Sequence, residues 1–218
     1  MITIEGARVS IQNVEVLRGF TLRVRPGTMV GLIGRNGAGK TTAMRTVMGH
    51  LPLLAGKVSL GDTDLARTPA HRRAALGVGY MPEDRGLVPE LTVEENICLP
   101  LWVSPGLAVR ERLAFVYGVL PELLERRERK ALLRSGGQQK LAALARALAV
   151  GTRVLLLDEP FEGVAPALSQ RLSEVVGQLR GSGLSVLISQ SDLNHSRRLL
   201  DDEVVIERGA NVGAGAAA

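Results

Sequence analysis

At 218 residues, 45% of them hydrophobic and 22% charged, the chain is long enough for one domain with a sizeable core, or for a core with a small insertion. Aromatic residues make up only 3%, which argues against stacking platforms for single-stranded nucleic acid; the net charge of +5 comes from scattered arginines, with one denser group at Arg126, Arg127, Arg129, Lys130 and Arg134 that suits a solvated helix face. A single cysteine, Cys98, excludes an intrachain disulfide, no signal-peptide pattern stands at the amino terminus, and the uncharged, apolar-rich stretch 97–109 is too short to span a membrane and carries Pro100 and Pro105. A soluble chain is expected, reaching a membrane only through a partner.

In chain order, 1–9 and 20–25 read as strands. The second alternates Phe20, Leu22 and Val24 against Thr21, Arg23 and Arg25, as a half-buried antiparallel strand does. After the Pro26-Gly27 turn, 28–33 is an apolar run of strand length, and 41–48 reads as a helix that stops at Gly49. Between them lies GRNGAGKTT: Gly34, Arg35, Asn36, Gly37, Ala38, Gly39, Lys40, Thr41 and Thr42. It fits the phosphate-binding loop pattern, with Gly34, Gly39, Lys40 and Thr41 at the fixed positions. Glycines let backbone N–H groups wrap a phosphate chain closely, and the following helix points its amides and dipole at the anion. Lys40 is placed to reach the β- and γ-phosphates of a bound nucleotide, and the Thr41 hydroxyl to complete a Mg²⁺ shell.

Further on, 57–60 reads as a strand, Thr68-Pro69 as a helix start and 77–81 as a strand ending at Pro82. Strand signals then vanish. Thr92-Val-Glu-Glu95 has the pattern of a capping box, and 107–120, 121–130 and 138–150 have helical composition, giving a helical insertion at roughly 84–145 in an α/β domain. Ser135-Gly136-Gly137-Gln138 opens the last of these helices, its glycines letting an anion approach free amides. The run 154–157 suits a strand buried on both faces, and it puts Asp158 and Glu159 at the carboxyl edge of a parallel sheet. Behind a phosphate loop, Asp158 is expected to hold Mg²⁺, and Glu159 to orient and deprotonate the attacking water. A helix over 166–180, a strand over 185–189, a helix beginning near Asp192 and a strand over 203–207 follow; the tail 209–218 lacks the apolar content to pack.

GRNGAGKTT, then SGGQQ, then VLLLDEP, in that order and with the second on a helical insertion, resembles the ATP-binding subunits of ABC transporters over nearly the whole chain. The stretches MPEDRGLVPELTVEEN from Met81 and DEPFEGVAP from Asp158 are most similar to those of the branched-chain amino acid importers and their amide and urea relatives. The resemblance implies a single domain: a P-loop NTPase (RecA-like) α/β core at about 1–83 and 146–208, an antiparallel β-subdomain and the helical subdomain inserted at about 84–145. It further implies two ATPase subunits, of one kind or more commonly a mixed pair, sandwiching two ATP molecules head to tail. Lys40 and Thr41 then hold nucleotide on one subunit, while Ser135, Gly136 and Gly137 close on its γ-phosphate from the other. Glu159 is the implied general base, and Glu83 stands where the family senses Mg²⁺ and the membrane subunit. The loop at 163–166 would connect the paired sites.

The partners implied are integral-membrane permease subunits, indirectly a solute-binding protein and no nucleic acid, with the chain peripheral at the cytoplasmic face of the cell membrane. Three positions and the extent of the chain depart from the family pattern. Arg134 replaces an apolar residue, Gln190 stands where most relatives have a histidine contacting the γ-phosphate, Ile11 falls where an aromatic stacks on adenine, and the chain stops soon after its last strand. Glutamine at 190 is shared with the branched-chain group; His195, nearby in sequence, is the weaker candidate for the missing imidazole. Two rival readings stay open at this level: a soluble ABC ATPase acting on nucleic acid or ribosomes, and a weakly active regulatory nucleotide-binding subunit.

Overall fold

Alternating side chains build the first sheet. In the computed structural model, which describes residues 1–131, 135–191 and 197–212, strand β1 (Ile2–Ile11) folds back on β2 (Val14–Val24) through Gln12 and Asn13, both with positive φ (47° and 66°). A two-residue turn of that handedness matches the twist of antiparallel strands. Leu17, Phe20, Leu22 and Val24 face inward and their neighbours face solvent. The hairpin is longer than the 1–9 and 20–25 strands read from sequence. β4 (Ala55–Leu60) and β5 (Thr63–Asp64) complete an antiparallel sheet in the order β2-β1-β4-β5.

The second sheet runs β10-β9-β3-β8-β7-β6, from β3 (Met29–Ile33), β6 (Val78–Met81), β7 (Val154–Asp158), β8 (Ser185–Gln190), β9 (Asp202–Glu207) and β10 (Ala210–Asn211). All its pairings are parallel except that of β10 with β9. Its strands serve two cores, because successive side chains point to opposite faces. Leu155 and Leu157 pack into one core with the helices α2 (Val93–Trp102), α3 (Val109–Val119), α4 (Pro121–Leu124), α5 (Gly136–Val150) and α6 (Pro166–Gln178). Val154 and Leu156 pack into the other, with the first sheet and α1 (Lys40–Val47). A strand buried on both faces has no polar side, which is why the sequence there is a continuous apolar run.

α2 begins with the expected capping box: Glu95 N–H donates to Thr92 Oγ1 (3.1 Å) and Thr92 N–H to Glu95 Oε2 (2.7 Å). α5 runs unbroken across the expected boundary at 145–146, packing against α2 and against β6.

Several expectations change. Thr68 caps no helix: its hydroxyl donates to the Asp64 carbonyl (2.8 Å), and only a 3₁₀ turn, Ala70–Arg72, follows. The helix expected over 121–130 ends at Leu124, where the chain turns so that Arg127 and Arg129 carbonyls receive the first amides of α2. The tail is ordered over 209–212: Asn211 bonds both the N–H and the carbonyl of Thr21 (2.8 and 2.7 Å), so amide bonding holds what apolar content does not. The helix expected near Asp192, with His195, and the Arg134 position lie outside the described residues, as does the tail from 213.

Candidate active site

Strand β3 leaves the centre of the parallel sheet at Ile33 and the chain loops through 34–39 into α1. Gly39, at φ 113°, makes the turn into the helix, a backbone angle that side-chain-bearing residues rarely adopt. No side chain caps α1 and its first turn carries no acid, so its amides and dipole face the loop. This is an anion cradle by construction.

The side chains expected to act converge here. Lys40 is 5% exposed; its ammonium donates to the Gly34 carbonyl and to that of Arg35 (3.1 Å), and pairs with Glu159 Oε1 at 2.9 Å. Thr41 Oγ1 donates to Asp158 Oδ1 at 3.2 Å. Asp158 ends β7 fully buried, with Ser189 Oγ donating to the same oxygen (2.6 Å) and the Tyr80 hydroxyl to the other (3.3 Å). Burial, with the Asp158 charge beside it, pushes the Tyr80 hydroxyl well above its ordinary pKa, so it stays a donor. β8 lies between β3 and β7, which sets Ser189 directly beside Asp158 in register.

Glu159 is the first residue beyond β7 and stands at a positive φ of 47°. Its N–H donates to Ser189 Oγ (3.0 Å), and Ser191 N–H donates to its Oε2 (3.3 Å). Burial raises the Glu159 pKa above the ordinary glutamate value; Lys40 opposes that shift and the nearby Glu162 charge adds to it. A carboxylate desolvated in this way is a better proton acceptor once ionised.

A cleft of about 460 Å³ runs beside these groups, lined by Val16, Asn36, Gly37, Gly39, Lys40, Thr41, Thr42, Glu83, Glu159 and Glu162. Glu83 follows β6 and is exposed, so it reaches the cleft from the side opposite the loop strand. Ala38 is buried under the loop, and its carbonyl accepts from Gly209 N–H (2.9 Å). Gln190, 3% exposed at the end of β8, accepts from Gly34 N–H (3.1 Å) through its own carbonyl.

The SGGQ group stands elsewhere. Ser135 and Gly136 are exposed, Gly137 and Gln138 half-buried, and none of the four lines the cleft. Ser135 accepts from Gln138 N–H (3.4 Å) at the start of α5. Ile11 also lies outside the cleft lining, at the tip of the β1–β2 hairpin; the aliphatic side chain that reaches the cleft is Val16.

Sequence reasoning missed Ser189, Tyr80, Val16 and Lys140. A hydroxyl inside the apolar run of β8 was the available sign for Ser189. The others declare themselves only through strand register and burial. Among the described residues no three His, Cys, Asp or Glu side chains cluster as a metal-holding group. One carboxylate and one hydroxyl, Asp158 and Thr41, suit a Mg²⁺ whose other ligands are phosphate oxygens and water.

The family model described as ABC transporter matches residues 17–162. The lipopolysaccharide export system ATP-binding protein LptB of Escherichia coli is 32% identical over 203 residues, covering 92% of this chain and 84% of its own length. The high-affinity branched-chain amino acid transport ATP-binding protein BraG of Pseudomonas aeruginosa is 31% identical over 209 residues, covering 96% of this chain and 90% of its own. A solved structure described as the ATP-binding subunit of an ABC transporter superposes with a TM-score of 0.86 at 27% identity, covering 97% of this chain and 88% of the other.

Proposed function

This chain belongs to the ABC transporter family, and from that premise we propose that it powers an importer of branched-chain amino acids or related small polar solutes. The chain is an ATP-binding ATPase subunit. The observation that carries the site reading is the convergence of Lys40 with Glu159 and of Thr41 with Asp158 at one sheet edge, 2.9 and 3.2 Å apart.

In this reading the loop amides and Lys40 hold the β- and γ-phosphates of ATP. Mg²⁺, when bound against Thr41 and Asp158, neutralises charge on the phosphates. Glu159 orients the attacking water and takes its proton, while Ser189 and Lys40 fix the two ends of that residue. Gln190, whose backbone carbonyl holds Gly34 but whose side chain does not line the cleft, would meet the γ-phosphate as an uncharged hydrogen-bonding group. Catalysis rests on positioning and on charge neutralisation. Ser135, Gly136, Gly137 and Gln138, at the start of α5 and outside the cleft lining, serve the nucleotide of a second ATPase subunit.

Closing and opening of that pair then drives permease subunits at the cytoplasmic face of the membrane, and through them meets a solute-binding protein. No helix among the described residues is long and apolar enough to cross a membrane, so the pathway for solute belongs to those partners. Support for import rests on the likeness to BraG and on the resemblance of the stretches from Met81 and from Asp158 to the branched-chain group. A second reading, export of a lipid-like molecule, is favoured by the equal likeness to LptB.

The test is turnover. Glu159→Gln is expected to lose at least about 100-fold in phosphate release while still binding ATP. Turnover near that of the wild type removes Glu159 from the base role. Identifying the permease that co-purifies from membranes, and measuring amino-acid uptake in vesicles that contain it, separates import from export.

A further inference from the structure

Helix α5 begins with an exposed serine, yet one turn further along it reaches into the interior. The Lys140 side chain is 4% exposed, and its ammonium donates to the carbonyl of Glu159 (3.0 Å) and to that of Glu162. No ion pair with a carboxylate accompanies these bonds among the described residues. Charged side chains are seldom buried on backbone carbonyls alone, because the cost of leaving water is then met only by dipoles. Burial, with Arg85 adding to it, lowers the Lys140 pKa against the opposing charges of Glu162, Glu159 and Glu83, none of which forms an ion pair with it.

The two carbonyls belong to one turn. Glu162 N–H donates to the Glu159 carbonyl (3.2 Å), and that same oxygen receives the ammonium. Glu159 itself is left-handed at φ 47°, a conformation that a residue with a side chain resists unless its surroundings impose it. Ser189 holds the amide side of Glu159 and Lys140 the carbonyl side. The same helix grips the loop that follows Glu83. Arg146 donates to the carbonyls of Arg85 (2.6 Å) and Gly86, and Arg85 donates to Gln139 Oε1 (2.6 Å).

We propose that Lys140 is a positioning residue: it locks the 159–162 turn in the shape that aims the Glu159 carboxylate into the phosphate cleft, and it does so from the helix whose first turn faces outward. A push on the exposed end of α5 is therefore felt at the base of this chain's own cleft. The inference rests on the reading of Glu159 as general base, and it gives Lys140 no contact with nucleotide.

Lys140→Met keeps a linear chain of similar volume and removes both donors; Lys140→Arg restores donors and charge. With the full chain, phosphate release and equilibrium ATP binding are measured for wild type and both variants. Lys140→Met is expected to lose on the order of 100-fold in kcat, the scale of an ångström-sized misplacement, with ATP affinity within about twofold of wild type. Lys140→Arg is expected to recover most of that loss. Unchanged kcat in Lys140→Met, joint loss of kcat and affinity, or failure of Lys140→Arg to recover overturns the proposal. Should Lys140→Met not fold, the neutral donor Lys140→Gln takes its place, with kcat between those of wild type and Glu159→Gln expected and unchanged kcat overturning. A wild type that releases no phosphate speaks against the ATPase reading; an active wild type with an indifferent Lys140 speaks against this inference alone.

Discussion

The Lys40 ammonium is shared between two loop carbonyls and the Glu159 carboxylate, so the lysine proposed to hold phosphate also sits on the carboxylate proposed to take the proton. Burial wins over this partner and leaves the Glu159 pKa above its ordinary 4.5. A general base works only when ionised, and kcat/KM reports the free enzyme's groups. Activity at low ATP is therefore expected to fall on acidification, with its midpoint at a pH above 4.5. A kcat/KM profile that stays flat down to that pH would show that burial does not control this carboxyl. At this scale the convergence of Lys40 with Glu159 and of Thr41 with Asp158 was legible in the sequence, because the loop pattern and the strand-end acid pair set residue types at fixed spacing. Ser189 and Tyr80 were not readable, because what makes them matter is their position across strands from Asp158. Val16 replaced Ile11 at the cleft for a similar reason: the hairpin tip carries Ile11 beyond it.

Strand β6 and helix α5 meet more closely than any side chain permits. A Cβ built on Gly79 falls 2.1 Å from the Ala147 carbonyl oxygen, a backbone atom that cannot swing aside. Gly79→Ala is expected to cost about 1–3 kcal/mol and to lower the melting temperature by roughly 3–10 °C. Because β6 leads directly into Glu83, turnover should suffer as well. Melting followed by circular dichroism checks this, and an unshifted transition would mean that α5 slides freely on the sheet. The short apolar parallel strands and the capped helices α2 and α5 were legible because apolar runs and caps are local signals. The 3₁₀ turn after Thr68, the early stop at Leu124 and the ordered 210–211 strand were not. Each depends on a partner distant in sequence: Arg73 donating to the carbonyl of Val47; α2 drawing on the 127–129 carbonyls; and Thr21 receiving Asn211.

Across the whole molecule, the two motifs most diagnostic in sequence do not meet. The loop 34–39 opens into the cleft with Glu159, while Ser135 stands exposed at the start of α5 and outside the cleft lining. If this serine served the chain's own nucleotide, changing it would weaken binding in the isolated protein. If it serves another subunit's nucleotide, the isolated protein should not notice. Ser135→Arg puts a bulky cation at that exposed position without touching a buried group. ATP affinity of the isolated chain is therefore expected to stay within about twofold of wild type, below 0.5 kcal/mol. Turnover in the assembled transporter should fall at least about 100-fold, as befits loss of a donor that acts on the γ-phosphate in the transition state. Equilibrium binding on the isolated chain and phosphate release from the assembly, measured on the same variant, separate the two cases. Weakened binding in isolation would bring Ser135 into its own chain's site, and with it would go the need for a second subunit to complete the chemistry.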